Sequence, residues 1–336
     1  MSVATSSSSA ATAPLPAGRG PLTQWLLGHL AAPPHDVGAP PPVEDDPLTG
    51  DDLHLALYLC YELHYRGLDG VDEAWEWQPS LLAARATFER AFEEALLAEV
   101  GPPRPVDDIE DELQRIVGEA DGPSLSSWLL EGESLELLRE FSVHRSAYQL
   151  KEADPHSWAL PRVGGRAKAA LVEIQADEYG GGVEAEMHAT LFAEVMTALG
   201  LDPGYGAYLD RLPGTTLATV NLISLFGLHR RWRGALIGHL AVFEMTSVVP
   251  MSRYAELCRR LGLPGEARRF YDVHVVADAV HQVVASRDLA AGFAAAEPER
   301  AGDVAFGARA LMAVEGRFAR ALLEAWETGR SSLLRP

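Results

Sequence analysis

The sequence predicts an all-α protein built as a bundle of many helices. Apolar residues recur every three or four positions over long segments, which is the spacing of one helix face. Prolines such as Pro203, Pro213, Pro250 and Pro264 stand between these segments, where they are expected to end helices. No clear run of residues alternates between apolar and polar in the manner of a β-strand. These three observations together favour an all-α fold.

The first two predicted helices cover residues 51–65 and 80–99. Asp51 can cap the first, in which Leu53 and Leu57 are spaced as on one helix face. The second has an apolar stripe opposite a row of charged residues, and a proline-rich stretch follows it. We therefore predict that both helices bury one face.

A third predicted helix contains the stretch from Leu137 to Leu150. The segment 215–224 has several β-branched residues, but no turn signal interrupts it, so we expect it to continue a buried helix. Apolar spacing predicts the remaining helices at 166–179, 184–199, 215–247, 252–261, 265–286 and 301–329.

Changes in composition divide the chain into three parts. Residues 1–45 are rich in Ala, Ser and Pro and predict a disordered tail and linker. Residues 46–120 predict an N-terminal helical extension, and residues 121–336 predict the main bundle. A chain of 336 residues can form a core large enough to enclose a buried site.

Composition and charge exclude several classes of partner. A net charge of −20 disfavours both nucleic acid and anionic membranes. We expect no membrane span, because the sequence shows no uninterrupted apolar run of about 18 residues, and the N-terminus does not resemble a signal peptide. The only two cysteines, Cys60 and Cys258, are expected to be reduced and buried. These features favour the cytoplasm.

The most informative motif is His274, Asp278 and His281. Their spacing of i, i+4 and i+7 places all three on one helix face over two turns. Two imidazoles and a carboxylate are ligands that suit iron, manganese or zinc. Flanking apolar residues, including Val276 and Val280, indicate that the segment is more than a solvated face. The alternative is an exposed His/Asp cluster that binds no metal.

A second pair consists of Glu178 and His188. In one straight helix these residues would point about 80° apart, given ~100° per residue. The glycines at 180–182 can break the helix and let both side chains turn inward. The alternative is a helix end at Glu178 and a surface position for His188.

A third candidate is Glu244, which lies in an apolar helical run. Burial of a carboxylate without a partner is costly, so Glu244 is expected either to bind a metal or to pair with a cation such as Arg233. Three carboxylates and three imidazoles from separate helices are what a two-metal site in a bundle needs. No thiolate belongs to the set, which argues against an iron–sulfur cluster or a structural zinc site.

The order Glu178, His188, Glu244, His274, Asp278 and His281 resembles that of the haem-oxygenase-like diiron oxidases and oxygenases, also called iron-containing redox enzymes. The resemblance covers roughly residues 130–330. It implies a haem-oxygenase-like metal-binding bundle in the segment 121–336, in which these six residues ligate two iron ions that activate O₂.

The same resemblance raises the question of a seventh ligand. Some N-oxygenating members carry an additional carboxylate upstream of the position matching Glu178, and Glu152 is located where that ligand would fall. The alternative is a surface glutamate at a helix end beside Lys151. The N-terminal region of residues 1–120 departs from the small members of the family, so the resemblance does not extend to the identity of the substrate.

Two other function classes remain open from the sequence. The first is a thiaminase-II-like hydrolase, which would need a nucleophile such as a thiol instead of metals. The second is a metal-free helical binding protein. For the diiron hypothesis, the expected partners are a small-molecule substrate, a separate electron-donor protein and a second copy of the chain in a homodimer. The sequence does not predict the substrate, the product or the type of oxidation.

Overall fold

The computed structural model describes residues 12–334, and within that range it contains helices and no β-strand. An isolated bridge joins Ala13 to Leu68. This part of the chain is therefore all-α, as predicted. The helices in chain order are α1 Pro21–Leu30, α2 Asp51–Glu62, α3 Pro79–Val100, α4 Ile109–Gly118, α5 Leu125–Gly132, α6 Leu135–Gln149, α7 Asp154–Ser157, α8 Gly165–Glu178, α9 His188–Ala198, α10 Gly214–Leu228, α11 Arg233–Arg260, α12 Glu266–Val283, α13 Ala291–Ala296 and α14 Ala301–Glu327.

The N-terminal segment is packed onto the bundle. Leu22, Leu26 and Leu30 of α1 are buried, and α1 lies against α2. The backbone N–H groups of Leu22 and Thr23 donate to the Asp52 carboxylate over 2.8 and 2.9 Å. The prediction of disorder is therefore wrong for residues 12–45, because an apolar helix face and a carboxylate at its first turn hold this segment in place. Residues 1–11, the rest of the predicted tail, lie outside the described residues.

Two predicted helix boundaries differ from the structure. The predicted helix 215–247 is divided, because the chain leaves the helical conformation at His229 between α10 and α11. Pro250 was expected to separate two helices but lies inside α11. A proline in a helix interior removes one hydrogen bond, and the packing of α11 against α12 and α14 maintains the helix through it.

The central helix α11 crosses α14 very closely at two glycines. A Cβ atom added to Gly238 would lie 1.9 Å from the Val304 carbonyl oxygen, and one added to Gly307 would lie 1.9 Å from that of Ala235. Because neither backbone leaves room for a side chain, both glycines are required for this contact.

The stretch Arg230–Arg260 is long and apolar enough to cross a membrane by length and composition, although sequence analysis found no such stretch. In the structure, 61% of its most apolar window is buried inside the protein. Its apolar character is accounted for by its position as the core helix between α12 and α14.

Candidate metal centre

Glu178 and His188 face each other across a break in the helix. α8 ends at Glu178, a short turn follows in which Gly180, Gly181 and Gly182 all have positive φ, and α9 begins at His188. Both side chains are buried, and His188 Nδ1 lies 2.8 Å from Glu178 Oε2. The predicted break at the glycines is confirmed. Of the alternative, the helix end at Glu178 is present, and the surface position of His188 is wrong.

The ligand face of α12 points into the protein. His274, Asp278 and His281 are each at most 4% exposed, whereas Val276 and Val280 are 73% and 57% exposed. The alternative of an exposed His/Asp cluster is therefore wrong. The two valines lie on the solvent side, so they were not evidence of burial. The helical spacing of the three polar residues was the reliable signal.

Glu244 of α11 is buried beside this face, with Oε2 3.5 Å from His281 Nδ1. Arg233, the cation proposed as its alternative partner, pairs with Glu297 instead. Arg233 is eleven residues upstream on the same helix, which corresponds to about 16 Å along the axis. The interpretation of Glu244 as the partner of Arg233 is therefore wrong.

Glu152 also points into the cluster. It follows the end of α6, is 5% exposed, and places Oε1 3.6 Å from His274 Nε2. The next residue, Ala153, has φ 71° and ψ −31°, a conformation that is rare for a residue with a Cβ atom. This strained turn directs the Glu152 side chain inward. The alternative of a surface glutamate is therefore wrong.

A buried ion pair between Lys151 and Glu62 stabilises the turn that carries Glu152. Lys151 Nζ lies 2.8 Å from Glu62 Oε2, and the two side chains are 1% and 0% exposed. The Tyr205 hydroxyl donates to Glu62 Oε1 over 2.6 Å. Lys151, which the sequence suggested was a mark of solvent exposure, is thus among the most buried residues. Glu62 belongs to α2, so the N-terminal extension contacts the segment that carries Glu152.

The donor atoms of these side chains form two groups that share one residue. The first group contains Glu152, Glu178, His188 and His274, and the second contains Glu178, Asp278 and His281. Within each group, one atom per residue lies within 4.8 Å of every other. Glu244 is outside both groups but adjoins His281. The described structure thus brings together all seven side chains named from the sequence.

Several atoms of this cluster have unsatisfied hydrogen-bonding capacity. Glu152 Oε2, His188 Nδ1, Asp278 Oδ1 and His281 Nδ1 are all buried without a hydrogen-bond partner. The short His188–Glu178 contact lacks hydrogen-bond alignment, and the 3.5 Å between His281 and Glu244 is too long for a good bond. Buried polar atoms without partners are rare and call for an explanation. Nitrogen and oxygen lone pairs that converge in this way fit a bound cation.

Two imidazoles are oriented by neighbours outside the cluster. His274 Nδ1 lies 2.8 Å from the Phe270 carbonyl oxygen, so Nδ1 donates to this oxygen and Nε2 is directed toward Glu152. His281 Nε2 lies 3.0 Å from Asp177 Oδ2, which leaves Nδ1 facing the cluster. Such partners are typical of metal-binding histidines. Sequence analysis missed Asp177, because its partner His281 is 104 positions away in the chain.

Electrostatics show that the cluster retains protons when no cation is present. Burial raises the pKa of Glu178 to about 7 and that of Asp278 to about 6. Burial lowers the pKa of His274 and His281, but the adjoining carboxylates outweigh it and raise these pKa values to about 10 and about 9. The carboxylates therefore attract positive charge, and the binding of a metal ion would displace these protons.

Comparison with known families agrees with this geometry. Residues 139–316 match the family model of the iron-containing redox enzymes, and this interval contains all seven residues of the cluster. No protein in a search of curated sequences matches the chain. Because the family model covers more than half of the 336 residues and includes the whole cluster, the chain belongs to the iron-containing redox enzyme family.

Proposed function

We propose that this protein is a non-haem diiron oxidase or oxygenase that uses O₂ to oxidise a small molecule. The observation that carries the proposal is the division of the buried donors into two groups that share Glu178. A carboxylate has two oxygens and can bridge two cations, so a shared glutamate between two sets of ligands suits a pair of metal ions.

The ligands that we assign are Glu152, Glu178, His188, Glu244, His274, Asp278 and His281. Imidazole and carboxylate donors without any thiolate match non-haem iron better than iron–sulfur clusters. Bound iron in its reduced state would pass electrons to O₂ and offer the open coordination positions that O₂ activation requires, and it would then need to be reduced again. The chain has no recognisable flavin or iron–sulfur motif, so we propose that a separate protein delivers the electrons.

The surrounding residues position these ligands and exclude water. Asp177 and the Phe270 carbonyl orient His281 and His274. The Ser247 hydroxyl donates to Asp278 Oδ2 over 2.6 Å and fixes that carboxylate. Leu240, Phe243 and Met251 line the small cavity of about 20 Å³ at the cluster, together with polar ligands. Apolar walls around a reactive centre limit side reactions with solvent.

The hydrolase alternative receives no support from the two thiols. Cys60 and Cys258 are both buried, and burial raises the pKa of each to about 12. A thiol with so high a pKa is almost entirely protonated at neutral pH and is a poor nucleophile. Neither cysteine lines the cavity at the cluster. These facts favour the redox function over hydrolysis.

The proposal is tested by metal analysis of the full chain and of one ligand variant. Protein loaded anaerobically with Fe(II) and then freed of excess metal should retain two iron ions per chain and consume O₂. The His281→Ala variant should lose iron and O₂ consumption while it keeps its helical circular dichroism, because the apolar packing of α12 is unchanged. The control is His35→Ala, since His35 is exposed and far from the cluster in the sequence.

Three results would contradict the proposal. Wild-type protein that retains no iron would favour a metal-free binding protein. Full iron occupancy in His281→Ala would show that the ligand assignment is wrong. Retention of a single iron ion per chain by the wild type would exclude the diiron centre.

A further inference from the structure

A second, larger cavity adjoins the cluster of seven candidate ligands. Its volume is about 560 Å³, within the range of small-molecule sites. Phe243, Ser247 and Met251 line both this cavity and the small one at the cluster. Since Ser247 also donates to Asp278, a molecule in the larger cavity would lie directly beside the proposed iron ligands.

The inner wall of this cavity is aromatic. Its rings belong to four helices, α6, α9, α11 and α12, and they are buried or half-buried. They are Phe141, Phe192, Phe243, Tyr254, Phe270 and Tyr271. Aromatic side chains favour flat apolar ligands, because rings stack or meet edge to face.

Two polar atoms in this wall are buried without a hydrogen-bond partner. Gln149 is 5% exposed, and its Oε1 accepts no hydrogen bond. The Tyr271 hydroxyl is also buried without a hydrogen-bond partner, although the Ser142 hydroxyl, which donates to the Leu138 carbonyl, lies near it. An unsatisfied buried acceptor is destabilising, and a ligand that donates to it removes that cost.

The positions of these two residues relate them to the metal cluster. Tyr271 is three residues before His274 within α12, whereas Gln149 is the last residue of α6 and the turn that carries Glu152 follows it. Residues three apart in a helix lie on the same side, about 4.5 Å apart along the axis. A group bound by Gln149 and Tyr271 would therefore be held about one helical turn from the cluster.

The charges inside the cavity are balanced. Arg145 makes two hydrogen bonds to Glu315, at 3.0 and 2.9 Å, and both residues line the cavity. Arg145 also lies over the Phe318 ring, with 4.6 Å to its centroid. Because Glu315 already neutralises Arg145, the buried part of the cavity offers no free positive charge to a carboxylate ligand. The other arginines that line the cavity are exposed or half-buried, namely Arg115, Arg309 and Arg320.

From these observations we propose that the cavity is the substrate pocket and that it selects an uncharged aromatic molecule with an N–H or O–H group, which donates to Gln149 and is supported by Tyr271. The identification as a substrate pocket rests on the proposed function, whereas the selectivity rests on the cavity. Gln149 and Tyr271 act as specificity-determining residues that orient the ring toward the cluster.

The test uses a matched pair of probes, indole and benzofuran. They have nearly the same shape, but only indole carries an N–H donor. Binding to the full chain, both metal-free and loaded anaerobically with Fe(II), is measured by calorimetry. We expect indole to bind at least ~10-fold more tightly, since a hydrogen bond to an unpaired buried acceptor is worth about 1.4 kcal/mol or more.

Two variants test whether Gln149 and Tyr271 cause the preference for indole over benzofuran. Gln149→Leu should reduce the ratio of indole to benzofuran affinity to near one while benzofuran still binds, which also shows that the pocket remains folded. Tyr271→Phe should reduce the ratio in part. Gln24→Leu, at an exposed glutamine of α1, should leave it unchanged.

The inference is overturned if neither probe binds, if the ratio in wild type is near one, or if it survives in Gln149→Leu. Tighter binding of decanoate than of indole would also overturn it, in favour of a fatty-acid ligand. Failure of iron binding with an intact ratio would instead contradict the proposed function and leave the selectivity of the pocket standing.

Discussion

The ion pair between Glu62 and Lys151 leads to a quantitative prediction about stability. Both side chains are essentially inaccessible, so Glu62→Ala leaves a buried ammonium group whose nearest compensation is the rings of Tyr58 and Tyr65, at 4.7 and 4.5 Å. Removal of one partner of a buried pair costs about 3–5 kcal/mol. A domain of ordinary stability has about 5–15 kcal/mol in total, so this loss is a large fraction.

The assay is urea unfolding of the metal-free protein, followed by circular dichroism, so that changes in iron affinity do not enter. The double variant Glu62→Leu/Lys151→Met should regain most of the stability, because it removes both charges and keeps the volume. Asp288→Ala removes a more exposed pair with Arg166 and should cost less than about 1 kcal/mol. A Glu62→Ala protein within about 1 kcal/mol of wild type would refute the reasoning.

Two further predictions concern helix packing and pH. Gly307→Ala should destabilise the protein by about 1–3 kcal/mol in urea unfolding, because the new Cβ would lie 1.9 Å from the Ala235 carbonyl oxygen. The control is Gly28→Ala in α1, where the new Cβ has no atom within 4 Å, and this variant should be neutral or stabilising. Burial lowers the pKa of His144 from 6.5 to about 3, so its contribution to stability is present above pH 6.5 and is lost as the pH falls toward 3. From pH 7.5 to pH 5.5, the unfolding free energy of wild type should decrease by about 1.4 kcal/mol more than that of His144→Gln. Equal decreases in the two proteins would contradict this prediction.

The ligand pattern on α12 illustrates what local spacing can predict. His274, Asp278 and His281 share a face in any regular helix, so their convergence follows from helix geometry alone. The same holds for the break at the glycines between Glu178 and His188, because positive φ is readily available to glycine. Both features depend on residues close together in the chain, and the structure has them as predicted.

Features that depend on contacts between distant segments were not predictable in this way. Lys151 reads as a surface residue in the sequence, yet a partner 89 positions away buries it. Asp177 reaches His281 across 104 positions, and no local pattern indicates that contact. The packing of residues 12–45 was missed for the same reason, since a proline-rich segment with one short apolar helix is not stable unless it packs against the rest of the protein.

The sequence by itself determined the all-α class, most of the helices and the residue types that converge at the candidate metal centre, because helix periodicity and ligand chemistry are local properties. Only the tertiary structure decided the inward position of Glu152, the burial of the Glu62–Lys151 pair and the aromatic cavity beside the cluster. These features depend on which helices pack together and at what distance, and the free energy that selects that packing is shared among many residues remote in the chain.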